Sequence, residues 1–245
     1  MLRWAYSDIE KLAALDQAIH QTEPEMAIDT DPDTGHKTYK LVVGNILSDD
    51  AERWTNQAIA NMRHGIDQAV CAAWECAKLG EPPDRLYYPI RNSFADLKGT
   101  LAKEPYSQLG EHFHTAIKAM HPYPAVDGNP GNAAFVALSK AAQKKHRVVC
   151  KVLGKVQSVN ISSGRFRNMV SNPIAIPTWD IEKGEIVLGT TAADGHMDLN
   201  IKLGLNITSG GAGPLDGEPL VPGLLAIHQD CQVALLLLAK AANLA

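Results

Sequence analysis

Two clusters in this sequence carry side chains able to do chemistry on an anion. The first is Arg63-His64 with Asp67-Gln68, and the second is Lys144-Lys145-His146-Arg147. A guanidinium stabilises charge developing on a phosphate, and an imidazole can carry a proton to or from a sugar oxygen. On a helix, residues four apart share a face, so Arg63 and Asp67 point together, with Gln68 one residue further round. His64, next to Arg63, points about 100° away. Each cluster also has a plain structural reading. Arg63 and Asp67 stand four apart and would pair on a helix whatever the function. A basic run at a helix end answers the negative pole of the dipole. Convergence of the two clusters on one groove would favour a phosphate site.

Other patterns are weaker. Glu111-His-Phe-His114 contains half of a di-iron carboxylate motif, but no second Glu-x-x-His occurs, so a surface helix is expected. His112, His114 and His121 lack the spacing of a structural zinc site. Asp29-x-Asp31-x-Asp33 has its glycine one place late for a calcium loop, and Lys40 where the bidentate glutamate belongs, so it reads as a hairpin turn. Ser209-Gly-Gly-Ala-Gly-Pro214 lacks the Gly-Lys-Ser/Thr continuation of a phosphate-binding loop. No metal or cofactor is expected.

The elements that must position these residues follow from periodicity. Trp54, Ala58, Met62, Ile66, Ala69 and Ala73 recur every three or four residues between Ser48 and Gly80, which predicts one continuous helix over 50–79. Capping oxygens precede it, and Gly80 with Pro82-Pro83 ends it. Before it, Trp4 to His20 reads as a helix and Glu25 to Val43 as a β-hairpin. After it, Leu86 to Ile90 is extended, because a residue preceding proline avoids helical geometry. Helices are predicted over Ser93 to Lys103, Pro105 to Met120, and from an Asn132 cap to about Lys145. Short β-rich segments follow at Val148–Val152, Val156–Ile161, Ile174–Thr178, Glu185–Gly189 and Asp198–Ile207, and Val221 to Leu244 closes as an apolar helix. The fold class is therefore α+β: an N-terminal helical bundle with a small hairpin, then a small antiparallel β-rich region and a C-terminal helix.

The chain of 245 residues carries 23 basic against 27 acidic side chains, a formal charge of -4, so no global basic field attracts nucleic acid. Its four cysteines form no Cys-x-x-Cys pair and are expected to be free thiols. The opening segment is amphipathic and acidic rather than a signal peptide, and no apolar run is long enough to suggest a membrane partner. A cytoplasmic location is expected.

Three stretches together resemble an uncharacterised bacterial family that looks like a divergent branch of the HEPN helical-bundle group. Ile59 to Val70 is similar to a helix of form N-L-R-x-x-L-D-H-x-V, Tyr88-Pro-Ile90 to an F-P-I segment, and Leu138 to Arg147 to a helix closing on K-H-R. The resemblance covers roughly residues 40 to 150. The change of pattern past Arg147 divides the chain into a helical domain over residues 1–147 and a β-rich region with closing helix over 148–245. For the first of these the resemblance implies a HEPN-like bundle, with a homo-oligomer and RNA or a nucleotide as partner. It also implies the metal-independent ribonuclease chemistry that many HEPN domains perform. Arg63 matches the family's arginine, but Gln68 stands where its histidine belongs, and glutamine exchanges no proton near neutral pH. His146 is then the residue to move a proton and Arg63 the one to stabilise phosphate, with Lys145, Arg147, Asp67 and Gln68 contacting substrate. The alternative is a non-catalytic structural or interaction protein, with Arg63 and His146 in structural polar pairs.

Overall fold

The computed structural model describes residues 1–44, 49–126, 130–144, 150–171, 179–180, 183–210 and 215–243. Among them the chain is α+β. Its helices are α1 (Leu2–Gln21), α2 (Asp49–Cys76), α3 (Phe94–Leu101), α4 (Glu111–Ala119), α5 (Ala133–Lys144) and α6 (Leu220–Ala242). Its strands are β1 (Glu25–Thr30), β2 (Lys37–Val42), β3 (Lys151–Met169), β4 (Trp179–Asp180) and β5 (Glu185–Gly210). The contacts cluster into two compact units, each assembled from separate stretches of chain.

The helical unit takes Met1–Leu12, Glu52–Lys151 and Ser209–Ala245. Helix α2 runs unbroken through Gly65, and its stripe of Ala58, Met62, Ile66 and Val70 is fully buried. The predicted helix from Pro105 to Met120 is two pieces, a 3-10 turn over Tyr106–Leu109 and then α4. Gly110 separates them at φ 81°, a left-handed conformation that glycine adopts without a Cβ clash. Ser93 caps α3 by accepting the Asp96 N–H, and Asn132 caps α5 by accepting the Phe135 N–H. Helices α4 and α5 pack on α6. By length and composition α6 resembles a membrane span, yet Leu224, Ile227, Cys231, Ala234 and Leu238 on one of its faces are core residues of this unit.

The second unit takes Ala13–Ala51 and Val152–Thr208. Its described strands form one antiparallel sheet in the order β1-β2-β5-β3, with β4 also on β5. The hairpin β1–β2 therefore belongs to the same sheet as the C-terminal strands. The short segments expected after residue 148 are two long strands, because the Gly154, Gly164, Gly195 and Gly204 positions lie within continuous ladders rather than at turns. The Ile174–Thr178 strand expectation lies outside the described residues. Tyr39, Leu41, Ile186, Met197, Leu205 and Ile207 make the core of this unit.

Candidate functional site

Tyr88 precedes Pro89, so its backbone is held extended and neither its N–H nor its C=O can join a helix. Both groups need partners where the segment is buried, and Leu86, Tyr88 and Pro89 all are. Helix α2 supplies them. Asp67 Oδ1 accepts the Tyr88 N–H at 2.8 Å, and Arg63 Nη2 donates to the Tyr88 carbonyl oxygen at 3.2 Å. Arg63 Nε donates to Asp67 Oδ2 at 2.9 Å, closing a ring of three charge-assisted bonds. The predicted pair of Arg63 and Asp67 thus exists, and it clasps the backbone of one residue of the extended strap, Tyr88, through both its N–H and its C=O.

The surroundings are largely apolar. The Arg63 side chain is 20% exposed and that of Asp67 16%. Burial pushes the Asp67 carboxyl above its ordinary value, although the Arg63 guanidinium and the Tyr88 N–H both pull it down. The Tyr88 ring stacks on Phe135 with centroids 5.2 Å apart. Its hydroxyl is buried and finds no hydrogen-bond partner among the described residues, and burial drives its pKa far upward. Cys231, on the buried face of α6, is pushed up to about 12 by the same cause. Tyr106 donates its hydroxyl to the Tyr87 carbonyl oxygen at 2.7 Å, and Arg91 bonds Thr100 and the Ile90 carbonyl, so the whole strap from 86 to 91 is fastened by side chains.

Of the expected site residues, Arg63 and Asp67 come together, and Gln68 lies exposed on α2. Lys145, His146 and Arg147 lie outside the described residues. His64 is exposed. His114 Nε2 engages the Tyr106 carbonyl oxygen at 2.8 Å, and His121 Nδ1 the Tyr123 hydroxyl at 2.9 Å. Among the described residues no group of three or more His, Cys, Asp or Glu side chains is placed to hold a metal ion. Tyr88 and Tyr106 were not singled out from sequence as part of this cluster. The signal that pointed to Tyr88 is Pro89, which makes an extended peptide with two unmet hydrogen-bonding groups.

No protein-family model matches the chain, and neither a curated protein nor a solved structure matches it.

Proposed function

We propose that this chain is a non-catalytic interaction protein, in which Arg63 and Asp67 hold the fold together and α6 presents the contact surface. The observation that carries this reading is the engagement of both side chains by the backbone of a single residue, Tyr88. An arginine whose Nε and Nη2 are already bound to carboxylate and carbonyl has lost much of the fork that matches a phosphate. On α6, Leu225, Val233 and Leu236 are 41%, 40% and 71% exposed, at spacings that place them on the side away from the core. Burying such side chains against a second copy is favourable by roughly 1.5–3 kcal/mol each. The test is light scattering coupled to gel filtration. Wild type should be a dimer or larger, and Leu236→Lys should shift it toward monomer. A wild type that is monomeric at high concentration would refute self-association.

A second reading keeps the HEPN-like bundle and an RNA-phosphate site. It is favoured by Arg63 Nη1, which makes no hydrogen bond to a described residue, on a side chain still one-fifth exposed. In that reading His146 moves the proton and Lys145, Arg147 and Gln68 join Arg63 at the phosphate. Oligoribonucleotide binding that weakens with salt and with Arg63→Ala would support it. Binding indifferent to Arg63→Ala would eliminate it.

A further inference from the structure

Helices α1 and α2 leave a groove between them on the helical unit, and Arg63, Asp67 and Tyr88 are not among the residues that line it. Trp4, Ser7, Asp8 and Lys11 face it from α1 at i, i+3, i+4 and i+7, and Gln57 and Asn61 face it from α2 at i and i+4. Its volume is about 400 Å³, within the range of small-molecule sites. Ala60 lies between Gln57 and Asn61, and its small side chain keeps that stretch of wall open.

The chemistry of the walls is unusual for a helix surface. Trp4 is 62% exposed, an indole face left in water beside a polar cleft. Asp8 is a buried acid, 6% exposed, whose Oδ1 takes the Lys11 ammonium at 2.8 Å. That ammonium also lies 5.8 Å from the centre of the Trp54 ring. Ser7, Gln57 and Asn61 make no side-chain hydrogen bond to another described residue. The groove therefore offers one aromatic face, uncommitted hydroxyl and amide groups, and a carboxylate with lone pairs to spare.

The charge balance selects the ligand. The cation is held by the anion beside it, so the groove is locally neutral and gives a phosphate no unpaired positive partner. Hydroxyl groups both donate and accept, which suits a carboxylate set beside amide groups. The C–H face of a pyranose ring is an apolar plane that can lie on indole. The geometry points to a binding site for a neutral saccharide, with Trp4 as the stacking platform and Asp8, Gln57 and Asn61 as the hydroxyl readers. This site is independent of the interaction-protein reading, since α6 contributes nothing to it.

The test uses the full chain and a panel of glucose, galactose, N-acetylglucosamine and maltose, with adenosine and AMP as competing classes. Saturation-transfer NMR and calorimetry read binding. At least one saccharide should bind, with a dissociation constant of millimolar order or tighter. Trp4→Ala should weaken it about tenfold or more, and Ala60→Phe should abolish it by filling the groove. Trp4 and Ala60 are exposed, so both variants should melt with wild type. Asn61→Asp is a further probe that keeps size and removes donors, and it too should weaken binding. Three results would each overturn the proposal: no saccharide binding at 50 mM (~ten times the weakest expected constant), binding unchanged in both Trp4→Ala and Ala60→Phe, or binding of adenosine or AMP without any saccharide.

Discussion

Truncating Asp67 to alanine separates a surface ion pair from a clasp that fastens a strap. If Arg63 and Asp67 formed only an exposed i,i+4 pair, Asp67→Ala would cost about 0.3–0.5 kcal/mol. The structure gives Asp67 more to lose. It accepts the buried Tyr88 N–H, a hydrogen bond to a charged group worth roughly 1.5–3 kcal/mol. Its removal also leaves a guanidinium that is four-fifths buried with only a carbonyl for company. Fully buried pairs broken in this way cost about 3–5 kcal/mol, and the partial exposure here brings the expectation down to about 2–4 kcal/mol. Arg63→Ala should cost less, because the remaining Asp67 still accepts the Tyr88 N–H and its side chain, 16% exposed, can be reached by water. The double variant should then be less destabilised than the two single costs added together, the mark of groups that act as one. Urea unfolding of the four proteins, followed by tryptophan fluorescence, measures the cycle. Hydrogen exchange of the Tyr88 amide adds a local readout, since it should lose protection in Asp67→Ala. A cost below about 0.5 kcal/mol with an unchanged Tyr88 exchange rate would refute the clasp.

Three further outcomes follow from local geometry. A methyl group added at Gly131 would run into the backbone of Tyr123, Pro124 and Ala125, so Gly131→Ala should cost about 1–3 kcal/mol or more by urea unfolding, whereas Gly99→Ala, in open space on α3, should stabilise by about 0.5–1 kcal/mol. Exposed Cys76 should alkylate first at pH 8 and half-buried Cys71 more slowly, with burial and the nearby Asp67 and Glu75 holding its thiol up; buried Cys231 should react only after unfolding, and mass spectrometry over time reads the order. Because the folded Asp67 carboxyl titrates above its ordinary 3.8, the folded state binds that proton more tightly than the unfolded chain, and this group's contribution falls as pH rises through the window above 3.8. The stability advantage of wild type over Asp67→Asn should therefore shrink from acid toward neutral pH, and an advantage that grows would contradict the burial argument.

Helices were legible wherever an apolar stripe met a capping residue. The α2 stripe, the Ser93 and Asn132 caps and the β1–β2 turn all stand where periodicity and turn chemistry place them. What pattern reading could not see was pairing between distant segments. The glycines of β3 and β5 look like strand ends in isolation, but Gly154 lies under the Trp179 ring, Gly164 against Leu199 and Phe166, and Gly204 against Ser158. Likewise Arg63 and Asp67 announced each other through their spacing. Their shared target on Tyr88 required knowing which strap lies over α2. The groove between α1 and α2 was silent for the same reason, because Trp4 and Asn61 are neighbours only after packing.

The helical unit draws on three lengths of chain, and His228 of α6 reaches the Leu2 carbonyl oxygen at 3.1 Å. That has a consequence for how the protein is made. Helix α4 leaves the ribosome with Phe113 and Ile117 needing cover that α6 provides, and 100 residues separate Ala119 from Leu220. At roughly 5–20 residues per second, those side chains wait on the order of 5–20 s before their partner exists. The chain from Ala13 to Ala51 and from Val152 to Thr208 can close its sheet during that interval, ahead of the helices that were synthesised between them. A chain truncated before Leu220 and released from the ribosome should therefore hold a formed sheet while its helices stay unclosed, the state most exposed to chaperones.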